Sequence, residues 1–566
     1  MKMRTRITLV FCATALLLPG AAGAQHFPSD EDLSALIRSR VEEDRAVGIV
    51  IGIMEADGST RIVAYGDAGP NARALGPKSL FEIGSITKVF TATLLADMVA
   101  RGEVSLSDPV SDYLPDGVTM PSRGDREITL LDLSTHHSAL PRLPDNMSPA
   151  NPANPYADYT VEQMYAFLSG HELRRDIGSE FEYSNLAVGL LGHVLALAAG
   201  GSYEDVVRER VLEPLGMEMT GITLEGDMRD WMTEGHDQQG NVVPLWDFPT
   251  LAGAGALRSD MEDMLTFLAA NTGPPETRLE RSMRASHEVR KNMTPEMNIG
   301  LNWMVRSVGE ETIVWHNGGT AGFRTFIGFD PNKGVGAVVL TNSAHVADDI
   351  GLHLINPDVP LAPAPVPIGE RIEVAVAEDI LETYVGEYEL APTFSIVVTL
   401  EAGALFLQPT AQPKFPMFAE SEAKFFLRAV DAQISFTKDD TGAVTGLILH
   451  QGGANQPGRK ISSEVPDPPD PTGGRIAVEV AEEILDTYVG EYELAPGLIV
   501  MVTLEGGALF AQVTGQGKLA LLAESETEFF LSAVDAQVSF TKDAAGNVTG
   551  MILHQSGVDQ QGDKVR

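Results

Sequence analysis

The hydrophobic positions change period along the chain. Residues 49–53 and 61–65 are rich in aliphatic and β-branched residues, and the turn signal Asp57-Gly58 separates them. Residues 324–329 and 335–340 repeat that arrangement around Asp330-Pro331-Asn332-Lys333-Gly334. Between these ends the apolar spacing lengthens to that of a helix. In residues 85–101, Val89, Leu94, Leu95 and Met98 recur at helical intervals, and residues 186–199 and 261–270 also read as helices. The pattern predicts an α/β (α+β) block over residues 25–356. Both of its ends would contribute strands to one antiparallel sheet, with a helical region inserted between them.

Beyond residue 356 the pattern becomes a repeat. Tyr384-Val385-Gly386-Glu387-Tyr388-Glu389-Leu390 returns at residues 488–494, an offset of 488 − 384 = 104. Val430-Asp431-Ala432-Gln433 and Leu449-His450-Gln451 return at the same offset. A gapless offset marks a duplicated module. Each copy reads as short strands, such as residues 395–400, 433–436 and 444–449, divided by turns such as Asp440-Thr441-Gly442. Two small antiparallel β-barrels are therefore expected, over residues 371–461 and 475–566. Pro-rich segments at 357–370 and 462–474 would link them, since proline stiffens a linker and stays out of helices.

Composition adds an address. Lys2, Arg4 and Arg6 precede an apolar run from residue 7 to 19, and Ala22-Gly23-Ala24 follows. The run is shorter than the roughly 20 residues a membrane span needs. It has the form of a secretory signal cleaved after Ala24, which predicts a periplasmic or secreted protein. The one cysteine, Cys12, lies inside that segment. A mature chain would lack disulfides, thiolate catalysis and cysteine metal sites. Acidic residues outnumber basic ones 79 to 40, a formal charge of −39. Such a surface repels nucleic acid and anionic lipid. No other apolar run reaches the length of a span, so no integral membrane segment is expected in the mature chain.

Three short motifs carry chemistry. Ser85-Ile86-Thr87-Lys88 places a hydroxyl and an amine one helical turn apart on one face. A serine hydroxyl needs a base within hydrogen-bond reach, and a lysine serves only when burial or nearby positive charge destabilises its ammonium. Tyr183-Ser184-Asn185 precedes a helix; a tyrosine between two cations would ionise in part and shuttle protons, and Asn185 offers both a donor and an acceptor. His316-Asn317-Gly318-Gly319 lies in an expected strand, where glycines let a substrate lie along the backbone. There His316 would supply a donor and potential positive charge, and the Gly319 N–H an oxyanion contact. Each motif alone has a plain structural reading: a helix cap, a buried tyrosine, a turn.

Together, in this order, the motifs resemble those of the serine β-lactamase and penicillin-binding-protein superfamily, in its class C β-lactamase-like branch. The flanks agree: Phe81-Glu82-Ile83-Gly84 before the serine, residues 133–141, and residues 212–217. Ala139 departs from the glycine usual there. The resemblance covers residues 30–345. It implies a serine hydrolase that passes through an acyl-enzyme. Ser85 would be the nucleophile, Lys88 and Tyr183 would share the proton, Asn185 would hold a substrate amide, and the N–H groups of Ser85 and Gly319 would form the oxyanion hole beside Gly318. It implies no cofactor and no metal, and assigns structural roles to His136 and His137.

His316 stands where many β-lactamases and transpeptidases carry a lysine. That resembles the esterases, D-aminopeptidases and some D-Ala-D-Ala carboxypeptidases of the branch, and argues against efficient β-lactam hydrolysis. The expected substrates are small esters, or amides and short peptides with D-amino acids. A D-aminopeptidase- or D-Ala-carboxypeptidase-type peptidase or a weak β-lactamase is the alternative within the class, and a silent binder of peptidoglycan fragments is the alternative of another class. The repeats resemble the lipocalin-like barrels found behind such hydrolases. They would wall the cleft or join copies of the chain into a homo-oligomer.

Overall fold

The computed structural model describes residues 25–294, 297–308, 311–364, 371–391, 394–410, 412–430, 432–439, 441–451, 454–464, 477–495, 498–513, 518–531, 536–543, 545–555 and 558–565. The signal segment with Cys12, the prolines at 466–471 and the turn residue Asp440 lie outside them. The chain divides into two compact units, at residues 365/366.

The first unit is built on eight antiparallel strands. They are β1 (Gly48–Met54), β2 (Thr60–Gly66), β3 (Lys291–Thr294), β4 (Met297–Ile299), β5 (Met304–Val308), β6 (Glu311–Gly319), β7 (Arg324–Asp330) and β8 (Val335–Thr341), in the spatial order β2-β1-β8-β7-β6-β5-β4-β3. The N-terminal hairpin joins the C-terminal strands through β1 and β8, where Ile51 faces Val339. Both ends of the block thus share one sheet.

Side-chain alternation explains why β1 reads as a continuous apolar run. Ile49, Ile51 and Ile53 face a layer made by helices α1 (Asp30–Glu42) and α5 (Asp348–Ile355). Val50 and Met54 face the opposite core, which contains α2 (Thr87–Arg101), α3 (Asn185–Ala199) and α4 (Met261–Thr272). A strand covered on both faces needs apolar side chains at every position. Each fully buried Val or Ile contributes about 1.5–3 kcal/mol.

The expected helix over residues 85–101 begins as a 3-10 turn, Gly84–Ile86, and becomes α-helical at Thr87. The helix is buried nearly all round: twelve of its fifteen residues are inside. This is why its apolar residues do not form a narrow stripe. The first part of the expected 357–370 linker is tied to this unit. Ala362 N donates to Asp349 Oδ2 at 2.8 Å, and the Ala362 carbonyl accepts from Arg45 at 2.8 Å.

The second unit holds the repeat. The copy that begins at Gly490–Ala495 is a closed eight-stranded barrel, whose fourth strand is Lys518–Ala523. In the first copy the matching stretch breaks into Phe415–Pro416 and Phe418–Ala419, and the nine-strand sheet stays open there. Position 416 is proline where the second copy has Ala520, at the same offset of 104. Proline has no N–H to give the ladder, which interrupts the strand. Aromatic side chains fill both interiors: Tyr384 stacks on Phe436 at 4.1 Å, and Tyr488 on Phe540 at 4.3 Å.

Candidate active site

The strand Phe81–Glu82 pairs with Arg258–Ser259, and Ile83 N donates to the Leu257 carbonyl at 3.1 Å. This holds the approach to Ser85. Gly84 then turns the chain at φ +51°, a conformation that disfavours a side chain. A Cβ on Gly84 would lie 2.6 Å from the Gly319 nitrogen, so glycine here also lets β6 approach. A Cβ on Gly318 would lie 1.9 Å from the Ile83 carbonyl oxygen. Thr325, opposite Gly318, donates its hydroxyl to that oxygen at 2.9 Å. The backbones of the serine turn and of β6 are therefore in direct contact, with the Gly319 amide beside the segment that carries Ser85.

Lys88 is wholly buried. Its Nζ donates to Ser85 Oγ at 2.9 Å, to Asn185 Oδ1 at 2.9 Å and to the Ala254 carbonyl at 2.6 Å. Burial, reinforced by the Arg142 guanidinium, holds its ammonium well below the usual lysine range. Two of the three partners are carbonyl-type oxygens that only accept. When Lys88 loses a proton, its two remaining N–H bonds stay with Asn185 and Ala254, and the lone pair is left for the Ser85 hydroxyl.

Asn185 opens α3, whose N-cap Ser184 accepts from Ala187 N at 2.9 Å. With Oδ1 on Lys88, its Nδ2 donates to Tyr156 Oη at 3.0 Å. Tyr183 lies between cations, with Lys88 Nζ 4.9 Å and Arg142 Cζ 5.2 Å from its ring centroid. The Ser85 side chain and the Arg142 guanidinium act to lower its phenol. The expectation that the two cations would partly ionise it is corrected: burial dominates and pushes the phenol up to about 12. Tyr183 is a neutral donor.

His316 also departs from expectation. It is fully buried, and its Nδ1 donates to the Asn317 carbonyl at 2.6 Å. Burial and the nearby Lys88 depress it to about 3. It is therefore neutral across the physiological range, and its Nε2 is an acceptor with no hydrogen-bond partner among the described residues. It brings neither a donor into the site nor a positive charge. The pairing of β5 with β6 ends at Trp315, opposite Met304. Residues 316–319 thus pair only with β7 and leave an open edge, along which Gly319 is exposed.

Sequence reading missed two contributors, Tyr156 and the Ala254 carbonyl. Tyr156 sits in a loop with no motif, and its neighbours Trp246 and Phe248 come from another loop, with ring centroids at 5.5 and 4.4 Å. Ala254 acts through its backbone; the run Ala252-Gly253-Ala254-Gly255 was its one visible signal. A Cβ on Gly253 would lie 2.9 Å from the Gly192 Cα, so a glycine contact with α3 sets where the Ala254 turn sits. His136 stacks on Tyr183 at 4.5 Å and accepts from Ser184 N at 3.1 Å. Ala139 has φ +63°, the left-handed conformation that explains the glycine usual at that position.

A buried lysine on a serine hydroxyl, with an open strand edge beside the serine turn, is the arrangement of a serine hydrolase. The chain belongs to the Beta-lactamase family, which it matches over residues 33–355. Residues 370–460 and 474–565 each match a domain of unknown function. The chain is 29% identical to the D-alanyl-D-alanine-carboxypeptidase/endopeptidase AmpH of Escherichia coli K12, over 61% of this chain and 92% of that one. It is 26% identical to a β-lactamase of Pseudomonas fluorescens, over 55% and 94%. A class C β-lactamase structure from Rhodobacter sphaeroides superposes with a TM-score of 0.50 at 26% identity, covering 57% of this chain and 97% of that one. The protein is a serine hydrolase of this fold.

Proposed function

We propose that the protein is an exported hydrolase that cleaves small esters, or amides and short peptides containing D-amino acids, through an acyl-enzyme on Ser85. The observation that carries this reading is the 2.9 Å contact between Ser85 Oγ and a buried lysine that has no carboxylate partner among the described residues. Neutral Lys88 takes the hydroxyl proton as Oγ bonds to the substrate carbonyl carbon. The Ser85 and Gly319 amides receive the oxyanion. Tyr183, kept protonated by burial, hands its proton to the leaving group and regains one from Lys88. Water then attacks the ester, with the same two groups in reverse roles.

The carboxypeptidase/endopeptidase name of the Escherichia coli relative supports peptide substrates. Neutral His316 supports esters and neutral amides over β-lactams, because it supplies no cation for their carboxylate. The sequence of residues 1–24 supports export.

The test is steady-state turnover of a short-chain p-nitrophenyl ester, a D-alanine p-nitroanilide and a chromogenic cephalosporin, with Ser85→Ala as control. Turnover of the ester or anilide, abolished in the control, is expected. Turnover that survives Ser85→Ala would remove the serine from the mechanism, and preferred turnover of the cephalosporin would overturn the substrate class.

A further inference from the structure

The site is poor in negative charge although the chain is rich in it. With 79 acids against 40 bases, the chain carries more than enough acids to pair every cation. Glu182, next to Tyr183 in sequence, is ion-paired with Arg175. Glu82, three residues before Ser85, pairs with Arg258. No carboxylate is among the groups that shift Lys88, Tyr183 or His316.

Arg142 is the cation left over. Its side chain is exposed, and no carboxylate lies within ion-pairing distance of it among the described residues. The guanidinium carbon is 5.2 Å from the Tyr183 ring centroid. The Arg142 carbonyl accepts from Asn185 N at 3.0 Å and Leu186 N at 3.2 Å, so its main chain is fixed to the start of α3. The other cation near the strand edge, Arg324, is committed to the carbonyls of Thr320 and Phe323, at 2.6 and 2.8 Å. Once Lys88 is deprotonated for catalysis, Arg142 stands beside Tyr183 as a positive charge without an ion-pair partner among the described residues. An exposed, unpaired guanidinium in a strongly acidic protein fits a carboxylate that arrives with the substrate, since its planar fork matches that group in two hydrogen bonds.

We propose that Arg142 is a specificity-determining residue that binds a carboxylate on the acyl part of the substrate, the part held beside Asn185. The inference rests on the acyl-enzyme reading above. It makes the preferred substrate an acyl group with a terminal negative charge. That charge is read from the Asn185 side of the site, not from the His316 strand.

The experiment compares two esters that differ in that charge, p-nitrophenyl hexanoate and mono-p-nitrophenyl adipate, using the full chain. The parent protein should prefer adipate by kcat/KM, and added salt should shrink the preference. Arg142→Gln should lower the adipate-to-hexanoate ratio about 10- to 100-fold, the range for hydrogen bonds to a charged group. Arg142→Lys should restore part of it. The carbonyl that caps α3 is retained in both variants, and an unchanged melting temperature would show that they fold. Hexanoate turnover with a ratio untouched by Arg142→Gln overturns the proposal alone. Failure of the parent to turn over either ester overturns the proposal together with the ester-hydrolase reading on which it stands.

Discussion

Two cations are buried near Ser85, and the fold treats them oppositely. Arg258 lies behind the serine turn, and Lys88 one helical turn after it. Arg258 faces Glu82 at 3.3 Å, and its Nη2 and Nη1 also donate to the Trp246 and Ile222 carbonyls, at 3.0 and 2.5 Å. Lys88 is buried more completely, yet its partners are a hydroxyl, a side-chain amide and a backbone carbonyl. A buried cation with a carboxylate keeps its proton and holds structure together. A buried cation without one is driven to release its proton, which is what a base must do. The difference separates scaffold from chemistry within a few residues.

The same substitution made at both positions should give different outcomes. The largest expected effect is on turnover: Lys88→Met should lower kcat/KM for the preferred ester by about 10²–10⁴-fold, the usual contribution of a positioned base. Lys88→Arg should not rescue it, because a guanidinium keeps its proton. In the parent, kcat/KM should rise with pH as Lys88 loses its proton, along a limb well below the usual lysine value of 10.5. His316, depressed to about 3, should add no limb between pH 5 and 8. A limb that survives in Lys88→Met would assign the base elsewhere.

Next in size, Arg258→Met should lower stability by about 3–5 kcal/mol in denaturant titration, because Glu82 would be left buried and unpaired. A small loss there would mean that the pair is not structural. The smallest effect is the reverse one. At neutral pH the unfolded chain holds a proton on Lys88 that the folded chain tends to release, so burying this amine subtracts stability, and more so as pH falls below 10.5. Lys88→Met should therefore raise stability, by about 1 kcal/mol, while it abolishes turnover. A loss of several kcal/mol would erase the contrast with Arg258.

How much of this was visible beforehand depended on distance along the chain. The spacing of Ser85 and Lys88 is an i, i+3 relation, and the observed turn and helix honour it. The strands around Asp57-Gly58 and Asp330 to Gly334 follow from runs of a few residues. Tyr156 was invisible because its contact with Asn185 spans 29 positions of chain, a helix at Val161–Gly170 among them. The charge of His316 was misjudged for a related reason. Its Asn317 partner is local, but its burial and the field of Lys88 are not.

The sequence by itself determined the sheet-and-helix block, the duplicated barrels, the order of the three motifs and the one-turn spacing of Ser85 and Lys88. These rest on backbone periodicity and short-range spacing, which act over a turn or a strand. The proton inventory of the site was decided only by the tertiary structure: a lysine poised to be neutral, a tyrosine that keeps its proton, a histidine without charge, and, among the described residues, an arginine with no ion-pair partner against Tyr183. Protonation depends on how much water and which charges surround a group, and those are supplied by residues remote in the chain.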